Sequence, residues 1–430
     1  MAGSSDFINE LTWRGLIHQA TTQGLAEHLG GAPRTAYAGF DPTADSLTVG
    51  NLVPIMMLAH WQRAGHRPIV LQGGGTGLIG DPSGKSAERQ LLSRDQVRHN
   101  VEQQRTIFSQ VLDLDAGGAA RGEVMDNADW LSSIGYLEVL RDIGKHFSVN
   151  QMIARDSVAT RLATREQGIS YTEFSYMILQ AYDFLHLQRT RGCTVQLGGA
   201  DQWGNIVSGI DLIRRCVGAD AFGVTAPLVT RSDGGKFGKS ESGAVWLSAE
   251  RTSPYRFFQF WLQTADADTA AYLRWFTFLS RQRIAELEGE LSSAPQARAA
   301  QRALAAAVTE MFHGPTERER CEAAGRALFS GEVRKLDEAQ VRQIAADLPQ
   351  GTVSPAELAG EGFPLVDALI RCGLAKSKRE AREFLTSGSV LLNGDSAAAE
   401  SRVSAGNLLH GRFALLRRGK REWAALTLPE

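Results

Sequence analysis

Apolar residues along this chain fall into two alternating patterns, short buried runs and stretches of helical spacing. Residues 35–40 (TAYAGF) read as a short strand ending at Asp41-Pro42. Residues 68–72 (PIVLQ) read as a buried strand running into Gly73-Gly-Gly-Thr-Gly77. Between them, residues 49–64 place Leu52, Ile55, Met56 and Ala59 at helical spacing, and Gly65 ends the helix. Strand, helix and strand in succession predict a βαβ unit with a right-handed crossover, whose ligands sit at the carboxyl ends of the strands. Further on, the pattern predicts a long helix over about 172–188, a strand at 194–197, a turn at Gly198-Gly199 and a helix over about 205–215. Residues 231–243 are rich in Gly, Lys and Ser and read as a mobile loop; 254 to about 328 is helical throughout. Pro349, Gly351, Pro355 and Gly360 make 329–360 a linker with one short helix, and the last seventy residues form a small α+β unit. The class is α/β, without internal repeats.

Composition narrows the function classes. A chain of 430 residues, 43% hydrophobic and 22% charged, is too long for one ordinary core and predicts two or three domains. A net charge of −2 gives no global attraction to nucleic acid. Cys193, Cys216, Cys321 and Cys372 form no CxxC pair, so neither a zinc site nor a disulfide framework is expected. The first twenty residues lack a basic segment followed by an apolar run, and no apolar run approaches a membrane span. A cytoplasmic enzyme without membrane association fits.

The candidate chemistry lies in the loops. Asp41-Pro42-Thr43 and Thr48-Val49-Gly50-Asn51 precede a helix, where free N–H groups and the helix dipole favour an anion. Gly50 lets a flat base or ribose approach the backbone, and Thr43, Thr48 and Asn51 can donate to phosphate oxygens. A plain capped turn has the same spacing. Gly84-Lys85-Ser86 ends like a P-loop, but the glycine needed five residues before Gly84 is Ile79, so that reading fails. On the 172–188 helix, Tyr176, Gln180 and Asp183 share one face among Phe174, Met177, Ile178, Leu179, Phe184 and Leu185. A polar stripe of this kind needs partners, either other side chains or a ligand. Taken alone, the lysines of 234–240 (GGKFGKS) are equally a solvated loop.

Taken in order, these segments resemble class I aminoacyl-tRNA synthetases of the bacterial, tyrosine-specific type, over essentially the whole chain. The stretch 37–51 (YAGFDPTADSLTVGN) is similar to the signature that usually ends His-x-Gly-His; Thr48 and Asn51 occupy the histidine positions. Residues 234–240 are similar to the second signature, Lys-Met-Ser-Lys-Ser, and 196–205 (QLGGADQWGN) to a stretch that meets ribose and amino acid. The resemblance implies a Rossmann-like parallel-sheet catalytic domain over 1–245, a helical domain over 246–328, a linker over 329–360 and an S4-like RNA-binding domain over 361–430. It implies activation of L-tyrosine by ATP, with Mg²⁺ accompanying the nucleotide and no zinc, and transfer to tRNA by a homodimer. Thr43, Thr48, Asn51, Lys85, Arg89, Lys236 and Lys239 would serve the phosphates. Tyr37 and Asp183 would take the phenolic hydroxyl; Asp81, Tyr176 and Gln180 the amino group; Asn127 and Gln202 would lie nearby, with Thr76 beside Asp81. Gly39, Asp41, Gly50, Gly199, Asp201 and Lys239 would meet ATP, Asp201 at its ribose. A tryptophan-specific ligase shares the Thr-x-Gly-Asn ending, but Tyr37 with Asp183, and the tail, argue against it. An RNA-binding descendant that no longer activates an amino acid would fit the altered signature but not the retained lysines.

The tail supports the same reading. Residues 361–430 carry 11 Lys+Arg against 8 Asp+Glu, a local charge of +3. Lys376-Ser-Lys-Arg-Glu-Ala-Arg382, followed by Val390-Leu-Leu-Asn-Gly394, resembles an S4 module with a basic helix and a hairpin, suited to phosphate contacts. An ordinary basic helix is the alternative.

Overall fold

The computed structural model describes residues 6–83, 91–115, 117–118, 120–155, 158–159, 162–163, 168–235, 237–240, 243–420 and 422–429. It comprises two compact units, Met1–Arg251 with Thr264–Ala300, and Thr252–Gln263 with Gln301–Glu430.

The first unit is built on a six-stranded sheet: β1 (Gln19–Ala20), β2 (Thr35–Phe40), β3 (Arg67–Gln72), β4 (Glu123–Asp126), β5 (Cys193–Gly199) and β6 (Phe222–Ala226). Their spatial order is β1-β6-β5-β2-β3-β4. All pairs are parallel except β1 with β6. The chain proceeds outward from β2 to β3 and β4, then returns to the other side of β2 for β5 and β6. The crevice between the carboxyl ends of β2 and β5 is thus a topological switch point, where ligands of open α/β sheets bind.

Helix α1 (Leu52–Arg63) links β2 to β3 as expected and is buried on nearly every side, from Leu52 and Val53 through Ile55–Trp61. Its apolar residues therefore surround the whole helix, the pattern of a helix enclosed by neighbours. Helix α2 (Arg94–Ser109) starts at Ser93, whose hydroxyl accepts from Gln96 N–H. Helix α3 (Tyr171–Arg191) starts at Ser170, which accepts from Glu173 N–H, and ends at left-handed Gly192. Helix α4 (Trp203–Val217) lies against α3, and Gly209 allows a close approach: a Cβ there would fall 2.9 Å from Phe184 Cδ1. Phe184 also packs edge-on to Tyr37 at 5.3 Å between ring centres, so this contact fixes the side of α3 that faces β2.

The second unit departs from the sequence expectation. The stretch 246–328 does not stand as a separate helical domain: 252–263 and 301–328 belong with the tail, while 264–300 belongs with the first unit. Nor is 329–360 a plain linker. It holds a helix at Glu338–Asp347 and strand β7 (Gln350–Thr352), which pairs in parallel with β11 (Glu422–Thr427). Gly351 makes the close packing possible, since a Cβ would fall 2.8 Å from Cys372 Sγ. The other strands of this five-stranded sheet are β8 (Val390–Leu392), β9 (Asp395–Ser396) and β10 (Phe413–Arg418), ordered β9-β8-β10-β11-β7. The β8–β9 hairpin turns at Asn393 (φ 50°) and Gly394 (φ 92°), a tight turn that needs two left-handed residues. Of helix Lys378–Thr386, Ala381 and Leu385 are buried while Lys378, Arg379 and Arg382 face solvent, as the basic-helix pattern predicted.

Substituting Gly209→Ala wedges α3 from α4. We expect a loss of about 1–3 kcal/mol in urea unfolding, the usual range for overpacking a tight contact.

Candidate functional site

At the switch point lies a cleft of about 440 Å³, lined by residues from β2, β3, β5, α3 and the loops that follow the strands. Its deep end is organised around Asp183, which α3 delivers to the interior, 2% exposed. Asp183 Oδ1 accepts from Trp130 Nε1 at 2.8 Å and Oδ2 from Asn127 Nδ2 at 2.9 Å. Asn127 is fixed in turn: its Oδ1 accepts from Gly75 N–H at 2.7 Å, and its Nδ2 also donates to Thr76 Oγ1 at 3.0 Å. Thr76 donates to Asp41 Oδ1 at 2.8 Å, and Tyr176 donates to Asp41 Oδ2 at 3.0 Å. One continuous network thus ties the ends of β2, β3 and β4 to α3.

Burial pushes Asp183 up to about 7, against the pull of its two donors, with Asp41 and Asp126 adding to the rise. Tyr37 is fully buried, and its hydroxyl has no hydrogen-bond partner among the described residues. Burial and the nearby Asp183 raise its phenol well above the ordinary value, so it remains a protonated donor. The phenol of Tyr176 is raised for the same reason, first by burial and then by Asp41 and Asp81.

A second polar group occupies one flank. Gln202 Nε2 donates to Asp81 Oδ2 at 2.7 Å, Gln180 Nε2 to Gln202 Oε1 at 3.2 Å, and Asn205 Nδ2 to Gln180 Oε1 at 2.9 Å. The cleft therefore gathers Asp41, Asp81, Asp183 and Asp201, a set suited to an ammonium group. Toward the mouth stand Thr43, Thr48, Gly50, Asn51, Gly199 and Asp201, with Gly39 on the β2 wall.

The two signature loops meet at this mouth. Val49 N–H donates to Val245 O at 3.0 Å, Leu247 N–H to Leu47 O at 2.8 Å, and Val245 N–H to Gly238 O at 2.9 Å. Gly238 has φ 78°, and a Cβ there would fall 2.9 Å from Val49 Cγ2, so glycine is required twice over. Phe237 stacks on Phe276 at 5.3 Å between ring centres, inserting the middle of the lysine loop into the first unit's core. The backbone of Lys239 pairs with Ala244 in a two-residue ribbon. Lys85, Arg89 and Lys236 lie outside the described residues.

The structure thus gathers Tyr37, Gly39, Asp41, Thr43, Thr48, Gly50, Asn51, Asp81, Asn127, Tyr176, Gln180, Asp183, Gly199, Asp201 and Gln202 around one cleft. It also assigns partners the sequence did not. Asp41 is engaged by Thr76 and Tyr176, and Asp183 by Asn127 and Trp130. Gln196 escaped the list of candidates although it lines the cleft, buried, with its Oε1 unpartnered among the described residues. A glutamine inside the apolar run TVQLGG was the available signal.

Comparison with known proteins adds independent findings. Residues 31–330 match the family described as tRNA synthetases class I (W and Y). Residues 340–426 match the tyrosine–tRNA ligase SYY-like C-terminal domain. The chain is 48% identical over 423 residues to a tyrosine–tRNA ligase of Opitutus terrae, covering 98% of this chain and 99% of the relative. It is 48% identical to that of Geobacillus kaustophilus, covering 97% and 98%. Among solved structures, a C-terminally truncated mitochondrial tyrosyl-tRNA synthetase of Coccidioides posadasii is similar at 31% identity and TM-score 0.66, covering 74% of this chain and 91% of that one. A tryptophanyl-tRNA synthetase of Encephalitozoon cuniculi bound to tryptophan, 13% identical over 74% of this chain and 91% of that one, shares the fold at TM-score 0.54.

The raised Asp183 gives a pH dependence. The folded chain retains a proton that the unfolded carboxyl, with its ordinary value of 3.8, has released, so stability from this group is complete below pH ~4 and is lost as the pH climbs through about 7. Carbon-13 titration of the Asp183 carboxyl should show a midpoint near 7. Trp130→Phe, which removes a donor to the ionised form, should move the midpoint higher still.

Proposed function

The chain belongs to the class I tRNA synthetase family of the tryptophan and tyrosine type, and on that basis we infer that it is a tyrosine–tRNA ligase. It joins L-tyrosine to ATP, releasing pyrophosphate, and passes the tyrosyl group of the adenylate to the 3′ end of tRNA. The observation that carries the amino-acid assignment is the sealed hydroxyl of Tyr37, unpartnered among the described residues, at the end of the cleft occupied by Asp183. A phenolic substrate donates to Asp183 and accepts from Tyr37. Phenylalanine would leave the Tyr37 hydroxyl desolvated and unmatched and would bring Asp183 no donor, the discrimination for which tyrosine-specific synthetases are the standing example.

The substrate's ammonium group belongs at Asp81, Tyr176 and Gln180, with Gln202 bracing Asp81. That leaves its carboxylate toward the mouth, where ATP, arriving with its magnesium, lies over Gly39, Gly50 and Gly199 with its ribose at Asp201. A carboxylate oxygen attacks the α-phosphorus and pyrophosphate departs. No enzyme nucleophile takes part; alignment and charge stabilisation lower the barrier. Thr43 and Asn51 serve the phosphates, and Lys85, Arg89, Lys236 and Lys239 neutralise charge on the leaving group. In the second step a terminal ribose hydroxyl of tRNA attacks the acyl carbon and AMP leaves.

The second unit supplies the tRNA contacts through Lys378, Arg379 and Arg382. Exposed apolar side chains, among them Leu137 at 80% accessible and the neighbouring Tyr136 and Tyr171, support a homodimer. No helix among the described residues is long and apolar enough to cross a membrane. Work on ATP and tRNA is consistent with a place in the cytoplasm.

ATP–pyrophosphate exchange tests the reading. Tyrosine should support exchange, and phenylalanine and tryptophan should not; absence of tyrosine-dependent exchange would refute it. Asp183→Ala should lower kcat/KM for tyrosine by about 10²-fold or more. A chain ending at Leu348, which removes all of β7–β11, should keep exchange and lose tRNA charging.

A further inference from the structure

Thr48 and Asn51 occupy the two signature positions that would each be expected to donate to phosphate, but the geometry divides their roles. Thr48 N–H donates to Asn51 Oδ1 at 3.0 Å, and Thr48 Oγ1 lies 3.0 Å from the same oxygen. A backbone N–H can only donate, so the amide orientation of Asn51 is fixed: its oxygen faces Thr48 and its NH₂ does not. An amide oxygen can only accept, so the Thr48 hydroxyl must be the donor in the second contact. The single hydroxyl proton of Thr48 is therefore already committed. The NH₂ of Asn51, by contrast, has no partner among the described residues, and Asn51 lines the cleft.

We propose that Thr48 is a positioning residue and Asn51 the phosphate donor: two donors from Thr48 hold the Asn51 oxygen and aim its NH₂ at the nucleotide's phosphates. This rests on the ligase reading above. Thr48 sits where it can do this because its own backbone is held on both sides. The neighbouring Val49 N–H and Leu47 O are taken by Val245 and Leu247, and Thr48 itself bridges to Trp246. A histidine at 48 would carry its donor on a longer side chain, beyond its own backbone. The shorter threonine instead turns back on the loop, and one amide does the donating for both positions.

The test is a double-mutant cycle in tyrosine-dependent ATP–pyrophosphate exchange, using Thr48→Val, Asn51→Ala and the pair. Thr48→Val is nearly isosteric and removes only the hydroxyl donor. Asn51→Ala should lower kcat/KM for ATP by about 10²-fold, the usual effect of deleting a donor to transition-state charge. Thr48→Val should lower it by about 10-fold, and the double variant should be no worse than Asn51→Ala within about 2-fold, because a residue acting only through another adds nothing once that other is gone. Thr48→Ser keeps the donor and should recover most of the Thr48→Val loss. Losses that multiply would overturn the proposal and make Thr48 an independent phosphate donor. Equal thermal midpoints for the wild-type chain and Thr48→Val exclude unfolding as the cause; if the midpoint falls, Thr48→Ser against Asn51→Ala completes the comparison. A wild-type chain without tyrosine-dependent exchange would refute the ligase reading itself, and this inference with it.

Discussion

A carboxyl group with almost no access to water is the constraint around which the first unit is arranged. Burying Asp183 disfavours its charge, and the protein answers with two directed donors, Trp130 and Asn127. Each donor is itself held: Asn127 by the Gly75 N–H and Thr76, and Trp130 by stacking on His186 at 4.3 Å between ring centres. Those supports reach the ends of β3 and β4, so the placement of a single acidic group on α3 dictates how two loops are arranged. An exposed aspartate would demand none of this. The hydroxyl of Tyr37 stays unmatched beside it, so the polar demand of this pocket is complete only when a ligand brings a hydroxyl of its own.

Much of this was legible in the sequence, for identifiable reasons. The βαβ unit is local, since β2, α1 and β3 follow one another and their apolar runs are short and well separated. The stripe of Tyr176, Gln180 and Asp183 needed only helical spacing to be placed on one face. Less legible were features that depend on long-range closure. Strand β4 is four residues of mixed character, defined by pairing with β3 rather than by its own pattern. The partners of Asp41 lie 35 and 135 residues away, and no local signal links them. Gln196 was visible as a polar residue in an apolar run, but only the assembled sheet places it in the cleft.

The tail illustrates the opposite difficulty. Proline and glycine between 349 and 360 read as punctuation, and punctuation suggested a linker. Yet Gly351 is where a strand must pass close to Cys372, and Pro355 opens a short helix capped by Ser354. These residues serve dense packing as readily as they serve a loop. The helical stretch before it misled in another way. Helical periodicity reports which residues are helical, not which core each helix joins. Two adjacent helices, Pro254–Leu262 and Asp266–Phe276, were accordingly read as one domain although they belong to different units.

The ladder that joins residues 47–49 to 245–247 is made of main-chain groups. Main-chain bonds are indifferent to which side chains the partners carry. Registration between the two loops is thereby insulated from mutation at most of the positions they contain, with Gly238 the exception. Side chains at 48 and 51 can be exchanged without breaking the main-chain bonds that hold the lysine loop to the helix entrance. The alignment of the two loops is thus carried by the backbone, and their chemistry by the side chains.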